Sequence, residues 1–215
     1  GDELVEPRDK PGPAQIRNSN AYQLTAQTIR AGGEALYYGI APDDEGPTLN
    51  MLSKAISECD IVLLTGGVSM GDYDEVPAVM RKAGVNIIFD RIAVQPGKPT
   101  TFGVHENAIV FGLPGNPVSS FIQFEILVRP MIMRAMGLEQ LEVERKYKLA
   151  VDYTRKRSHR MAWVPVSLES DGTVAPVEYH GSAHINALPA AWGIMKVPVG
   201  LSAIKKGDAV DVRQI

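Results

Sequence analysis

The pattern that most constrains the fold lies between residues 20 and 115, where stretches with helical spacing of apolar residues alternate with short apolar runs. Helical spacing begins at Asn20 and stops before Gly32-Gly33, a typical C-terminal signal of a helix. The run Asp60–Leu64 (DIVLL) is apolar after its first residue, as expected of a strand buried on both faces. This alternation predicts an α/β domain whose sheet is mostly parallel and carries helices on both faces.

Asn116 and Pro117 mark the start of the longest predicted helix, because asparagine is a favoured N-cap and proline fits the first helical position. The same reasoning predicts the other elements of this part of the chain. Helices are expected over Asn20–Ala31, Thr48–Glu58, Glu75–Lys82 and Pro117–Met136, and strands over Glu34–Ala41, Asp60–Leu64, Val85–Phe89 and Ala108–Gly112.

The pattern changes after Gly137. From Val143 onward, short strand-like runs are separated by turn signals such as Asp171-Gly172, and helical spacing is lost. We therefore predict two domains, an α/β domain over residues 1–142 and a small β-barrel or sandwich over residues 143–215. Charge divides at the same place, since the first domain has 11 Lys/Arg against 18 Asp/Glu and the second has 11 against 7. Such asymmetry is typical of two units with different chemistry.

Composition excludes several classes of protein. A hydrophobic content of 45% with 22% charged residues excludes a disordered chain, and no run approaches 18 consecutive apolar residues, so no membrane span is predicted. The first ten residues lack the pattern of a signal peptide, and a single cysteine, Cys59, excludes an internal disulfide and a multi-cysteine zinc site. A net charge of −3 argues against a nucleic-acid partner. These features predict a cytoplasmic protein with small-molecule partners.

The glycine-rich loop TGGVSMGDYD (residues 65–74) directly follows the DIVLL run. Ligands of doubly wound sheets bind beyond the carboxyl ends of the strands, and paired glycines let backbone N–H groups approach a phosphate. Asp72 and Asp74 follow at once, where a carboxylate and a phosphate together suit Mg²⁺. The alternative is that one of these aspartates only caps the next helix.

Two further loops favour anions. In PGKPTT (residues 96–101), Lys98 is a well-positioned cation between two prolines, unless it is simply an exposed turn residue. The loop GLPGNPVSS (residues 112–120) leads into the long predicted helix, whose free N–H groups and dipole suit an anion. A basic cluster in the second domain is either a solvated turn or a further anion contact; it comprises Arg155, Lys156, Arg157 and Arg160.

Together these motifs resemble those of a known family. The combination of GDEL near the start, APDD at 41–44, TGGVSMGDYD at 65–74, QPGKP at 95–99 and GLPGNPVSS at 112–120 is similar to the MoeA-type molybdopterin molybdotransferases, which include the E domain of gephyrin. The resemblance covers essentially the whole chain. It implies a molybdopterin-binding (MogA-like) α/β domain followed by the family's small C-terminal β domain. The family's elongated dimerisation segment and inserted β domain are missing, so we expect a C-terminal part of a longer enzyme.

The resemblance implies a reaction in molybdenum cofactor biosynthesis. Members of the family bind adenylylated molybdopterin with Mg²⁺, insert molybdenum from molybdate and release AMP. The resemblance also implies a homodimer of the full-length protein and contact with the adenylyltransferase of the same pathway. By this resemblance the catalytic residues are Asp43, Asp74 and Lys98, with Asp43 and Asp74 as the metal ligands.

The family motifs place the remaining site residues. The molybdopterin-binding set is Glu3, Thr65, Gly66, Gly67, Ser69, Gly115 and Asn116. The molybdate-binding set is Lys98, Pro99, Ser119, Arg160 and Ser182, with Asn186 as an alternative to Ser182. Where the family often has lysines this sequence has Arg91 and Gln95, so one cationic charge is lost.

Two other functions remain open from the sequence. A molybdopterin adenylyltransferase would resemble residues 1–142, but the β domain after Gly137 argues against it. A non-catalytic scaffold that binds peptides, as the gephyrin E domain also does, is disfavoured because Asp43, Asp74 and Lys98 are retained.

Overall fold

The computed structural model describes residues 1–67, 75–138, 144–178 and 180–215. Its first part, residues 1–138, is called the α/β region below. The strands of this region are β1 (Leu4–Val5), β2 (Ile16–Arg17), β3 (Ile61–Thr65), β4 (Asn86–Phe89), β5 (Val94–Gln95), β6 (Thr101–Val104) and β7 (Ile109–Leu113). Its helices are α1 (Asn20–Arg30), α2 (Glu45–Glu58), α3 (Glu75–Lys82), α4 (Pro117–Gln123) and α5 (Arg129–Ala135).

The central sheet has the strand order β3-β7-β6-β4. The β3–β7 pair is parallel, with Ile61 opposite Ile109 and Thr65 opposite Leu113, whereas β6 runs antiparallel to both of its neighbours. The α/β class is confirmed, but the sheet is mixed rather than mostly parallel among the described strands. The reason is a hairpin, closed by His105 N–H donating to the carbonyl of Ala108 at 2.8 Å, which forces β6 and β7 to run in opposite directions. The sequence predicted no strand at β6, of which only Thr101 belongs to the PGKPTT loop.

Helices cover both faces of this sheet, as predicted. Val110 lies in a core formed with α2 and α3, while the next residue, Phe111, lies in a core with α1 and the helix that follows β7. Successive side chains of a strand point to opposite faces, so a continuous apolar strand supplies both cores. Helix α2 begins at Glu45, earlier than predicted, because the Asp44 side chain accepts the Gly46 N–H at 3.0 Å.

The strand predicted over Glu34–Ala41 is not formed. Within the described chain, residues 34–40 make no backbone-to-backbone hydrogen bond, so the outer edge of β3 has no neighbouring strand. Gly39 has a φ of +98°, outside the range of an extended strand. Side chains hold this segment instead: the Tyr37 hydroxyl donates to Glu6 at 2.7 Å, and the Tyr38 hydroxyl donates to Glu58 at 2.5 Å.

The long helix predicted over Pro117–Met136 is present, but a π-helical turn over Phe124–Val128 interrupts it. The Arg129 N–H bonds to the carbonyl of Phe124, five residues back. Pro130 has no N–H to donate, and in a regular α-helix its ring would clash with the preceding turn. This explains why the helix widens into a π-helical turn here.

The second part of the chain, residues 144–215, is called the barrel region. Its strands are β8 (Glu144–Lys148), β9 (Tyr153–Thr154), β10 (Met161–Leu168), β11 (Val174–Pro176), β12 (Gly193–Val197), β13 (Ala203–Ile204) and β14 (Ala209–Gln214). Five of these strands form a sheet of order β11-β10-β12-β14-β8, while β9 and β13 pair with each other. A bridge between Leu149 and Val174 joins the two ends of the larger sheet. The small β domain is thus a nearly closed barrel around an apolar core. A short 3₁₀ helix over Ile185–Ala190, which the sequence did not predict, leads into β12.

The two regions share structure where they meet. Strand β5 pairs with β10, and Trp163 and Ile194 of the barrel pack against Val118 and Ile122 of α4. The predicted boundary between residues 142 and 143 lies outside the described residues, so the division stays a prediction. No helix among the described residues is long and apolar enough to cross a lipid bilayer.

Candidate functional site

The loops after β3 and β7 contact each other at the carboxyl end of the parallel pair. The Gly66 N–H donates to the Leu113 carbonyl at 3.1 Å, and a methyl group on Gly115 would lie 3.4 Å from the Cα of Gly66. Gly66 and Gly67 have positive φ angles, which glycine adopts without strain. In their described parts, the two loops thus meet through backbone atoms of Gly66, Leu113 and Gly115. Ser69 and Asp74, predicted in the same loop, lie outside the described residues.

The APDD segment gives its two aspartates different roles. Asp44 caps α2, whereas Asp43 is exposed and its carboxylate accepts the Asp2 N–H at 2.9 Å. The Asp43 N–H donates in return to the Asp2 carboxylate at 3.3 Å. This reciprocal pair holds the GDEL segment, including exposed Glu3, beside the start of α2.

The start of α4 is joined to the barrel region. Asn116 has the extended backbone of an N-cap, but its side chain makes no capping bond and donates instead to the Ser182 hydroxyl at 3.0 Å. The Val118 N–H donates to the Ser182 carbonyl at 3.0 Å. Ser119 is buried at the same turn. A barrel residue therefore satisfies part of the helix terminus that the sequence predicted to be an anion site.

Hydrogen bonds hold the PGKP turn (residues 96–99) both at Lys98 and at the residue before it. The Lys98 carbonyl accepts the N–H groups of Ile92 and Thr100 at 3.0 and 3.1 Å, and the Thr100 hydroxyl donates to the Gly97 carbonyl at 2.8 Å. Lys98 is half-buried. The turn follows β5, so the pairing of β5 with β10 brings the barrel next to it.

Arg160 lies just before β10, close to this turn. One of its terminal nitrogens donates to the Val94 carbonyl at 3.4 Å, while its Nε is buried without a partner in the described chain. Arg155 has a structural role, since it donates to the carbonyls of Arg160, Pro198 and Leu201. Within the basic cluster, Arg155 therefore binds backbone carbonyls of the barrel region, whereas Arg160 places a positive charge near the PGKP turn.

A cavity of about 1400 Å³ unites much of the predicted site. Small-molecule pockets usually measure about 300–1,000 Å³, so this one has room for a ligand of nucleotide size. The predicted residues that line it are Glu3, Asp43, Thr65, Gly66, Gly67, Pro99, Gly115 and Asn116. Lys98 and Ser182 do not line it, but each adjoins a residue that does, Pro99 and Ala183 respectively. Ser119 and Arg160 do not line it either.

Comparison with known proteins shows the family of both parts of the chain. Residues 1–134 match the model of a probable molybdopterin binding domain, and residues 146–215 match the MoeA C-terminal region, domain IV. The chain belongs to the MoeA-type family. A structure of the molybdopterin biosynthesis MoeA protein from Pyrococcus horikosii superimposes with a TM-score of 0.86 at 30% identity, covering 99% of this chain and 52% of that one.

Curated relatives of this MoeA-type chain are named molybdopterin molybdenumtransferases. The one from Staphylococcus epidermidis is 32% identical over 215 residues, which are 99% of this chain and 51% of the relative. The one from Bacillus subtilis is 39% identical over 132 residues, or 61% of this chain and 31% of the relative. This chain thus spans at most about half the length of these relatives.

Sequence reasoning missed several residues that shape the MoeA-type site. Burial and a hydrogen bond to Glu6 raise the pKa of Tyr37, which lines the cavity, to about 12, so its hydroxyl remains a donor at neutral pH. Hydrogen bonds from Tyr37 and Tyr22 lower the pKa of Glu6. Buried Gln123 and Glu125 hold the long helix against its neighbours. The only available signal for that pair was two polar residues within the apolar run FIQFEILV (residues 121–128).

Proposed function

We propose that the protein inserts molybdenum from molybdate into adenylylated molybdopterin, in a Mg²⁺-dependent reaction that releases AMP. The observation that carries this proposal is the large cavity, whose lining among the described residues includes Glu3, Asp43, Gly66, Gly67, Gly115 and Pro99. It is supported by the names of the curated relatives, which are molybdopterin molybdenumtransferases.

The chain's own residues would act mainly by positioning and electrostatics. In the proposal, the backbone N–H groups of Gly67 and Gly115 bind the pterin nucleotide, with Gly66 lining the same surface, because such surfaces suit phosphate oxygens. Lys98 supplies a fixed positive charge for molybdate, and its half-buried position strengthens that interaction compared with one in bulk water. Pro99, Ser119, Arg160 and Ser182 complete the proposed molybdate site.

The residues present fit a magnesium ion held jointly with the substrate. Asp43 is an exposed carboxylate on the cavity, and Mg²⁺ in phosphate sites is typically held by one or two carboxylates and phosphate oxygens. Among the described residues no cluster of three or more acidic, histidine or cysteine side chains forms a metal cage. We propose Asp43 and Asp74 as the ligands; the bound ion would offset the negative charge of the phosphates.

The proposal includes the assembly and location of the protein. We infer a homodimer of the full-length protein, contact with the adenylyltransferase that supplies its substrate, and action in the cytoplasm. Of the alternatives, adenylyltransfer would consume ATP and form pyrophosphate, and a scaffold would release no AMP, so product analysis separates all three.

The test is molybdate-dependent AMP release from adenylylated molybdopterin, with and without Mg²⁺. Lys98→Ala removes a charge-assisted contact worth about 1.5–3 kcal/mol, so the half-saturating molybdate concentration should rise roughly 10- to 150-fold. The matched control is Lys146→Ala, which removes an exposed lysine of β8 paired with Asp211 and should leave this concentration unchanged. A parent that releases no AMP with molybdate would refute the function, and equal values for Lys98→Ala and parent would refute the role of Lys98.

A further inference from the structure

Gln123 is a fully buried side chain at the end of α4 that reaches out of its own helix. Its amide Nε2 donates to the carbonyl of Pro96 at 2.8 Å. Its Oε1 has no hydrogen-bond partner in the described chain. Burying a carboxamide costs free energy unless it forms hydrogen bonds, and the bond that Gln123 forms is to the PGKP turn.

The turn is packed directly onto this side chain. Gly97 has a φ of +101°, and a methyl group on it would lie 2.8 Å from the Gln123 Cδ. Glycine is therefore needed at residue 97 both for the backbone conformation and for the close approach of Gln123. The Gly97 carbonyl also accepts the Thr100 hydroxyl. Gly97, the residue before Lys98, is therefore held both by this hydrogen bond and by its packing against Gln123.

Helical register relates Gln123 to the start of the same helix. Ser119 precedes it by four residues, so the two side chains lie on one face of α4, about one turn apart. Both are buried. One helix face thus carries a residue of the proposed molybdate set and the residue that anchors the turn bearing Lys98 and Pro99.

We propose that Gln123 is a positioning residue, which sets the place of the PGKP turn relative to the start of α4 and thereby assembles the oxyanion site. This inference rests on the proposed function for its ligand, molybdate. It assigns to Gln123 no contact with the substrate.

The experiment uses Gln123→Met, which keeps the length of the side chain but removes the donor to Pro96. Two readouts are needed. Equilibrium dialysis with molybdate alone should show a dissociation constant about tenfold higher than that of the parent. Amide hydrogen exchange at Ile92 and Thr100, whose N–H groups bond to the Lys98 carbonyl, should be at least about tenfold faster.

Gln27→Met is the matched control. Gln27 is also a buried glutamine with an unpartnered Oε1, but its amide donates to the Phe121 carbonyl and to Glu125, away from the turn. It should lower the melting temperature without changing molybdate affinity or exchange at Ile92 and Thr100. If Gln123→Met does not fold, Gln123→Asn, whose amide is one methylene too short to reach Pro96, should show the same two changes.

The outcomes separate the inference from the function beneath it. Faster exchange in a Gln123 variant, with a parent that binds no molybdate, would support the anchoring role and refute the oxyanion site. A parent that binds molybdate, with a folded Gln123 variant of unchanged affinity or unchanged exchange, would overturn the positioning role. Equal effects of Gln27→Met and Gln123→Met on affinity would also overturn it, because the cause would then be a general loss of stability.

Discussion

The α/β region and the barrel region differ in whether the edge strands of their sheets are paired. In the barrel region a bridge between Leu149 and Val174 joins the two ends of the sheet. Among the described residues of the α/β region, no strand pairs with the outer edge of β3, and tyrosine side chains hold the segment over residues 34–41 nearby. The large cavity lies against that open edge. The nearly closed barrel thus leaves few strand edges open, whereas the α/β region has an open edge beside the cavity.

They also contribute to the candidate site in different ways. The α/β region supplies the glycine and proline loops together with the side chains of Asp43 and Lys98, whereas the barrel supplies the side chain of Ser182 and the guanidinium of Arg160. A site built this way depends on the joint between the regions. The predictions below test that joint first, then the barrel's contribution, and last the open edge.

Glu125 lies beside this joint and is fully buried in the π-helical turn. Its carboxylate accepts hydrogen bonds from Gln27, Arg30 and Arg129, and its carbonyl accepts one from Arg213 of the barrel. Glu125→Gln removes the buried negative charge that Arg30 and Arg129 contact, so the free energy of unfolding should fall by about 3 kcal/mol. Urea unfolding measures this. Lys146→Ala, which breaks an exposed pair, should cost less than about 1 kcal/mol, and equal losses would contradict the buried role.

Much of the fold could be predicted because its signals are local. Helix α3 has the predicted bounds, and α1, β3 and β7 deviate by a residue or so, since apolar spacing and capping residues mark them directly. The prediction of a strand over residues 34–41 was wrong, because an apolar run does not reveal whether its backbone will pair with a neighbouring strand. Strand β6 was missed because its pairing depends on a hairpin closed at His105 and Ala108.

The same distinction between local and distant signals applies to the candidate site. Glycine and proline motifs such as those at Gly66 and Gly97 are visible in the sequence because their conformations demand those residues. The hydrogen bond between Asn116 and Ser182 joins residues 66 positions apart, and neither residue type predicts such a contact. Gln123 and Glu125 were missed for a similar reason, because their partners lie on other elements.

The barrel's contribution can be measured through the Asn116–Ser182 hydrogen bond. A neutral hydrogen bond of this kind contributes about 0.5–1.5 kcal/mol, so Ser182→Ala should weaken molybdate binding roughly two- to tenfold. Asn116→Ala should give a similar loss, and the double variant should be no worse than the single ones if the two side chains act together. Fully additive losses would show that they act independently. Ser167→Ala, a serine on β10 whose hydroxyl donates to Glu169, is the control and should not change affinity.

The smallest effect concerns the open edge, through the pH dependence of stability. Burial, and secondarily the hydrogen bond to Glu6, raise the pKa of Tyr37 from about 10 to about 12 in the folded protein. A raised pKa means that the folded state keeps its proton where the unfolded state loses it, so this contribution is fully present below pH 10 and is lost as pH rises toward 12. Tyr37→Phe should therefore flatten the fall in unfolding free energy between pH 10 and 12, measured by urea titration at each pH. Glu6→Gln keeps the burial and removes only the carboxylate, so it should flatten the fall less. An unchanged slope in Tyr37→Phe would show that the Tyr37 hydroxyl does not hold the segment over residues 34–41 in place, and the contrast between an edge fixed by side chains and a barrel closed by backbone would then fail.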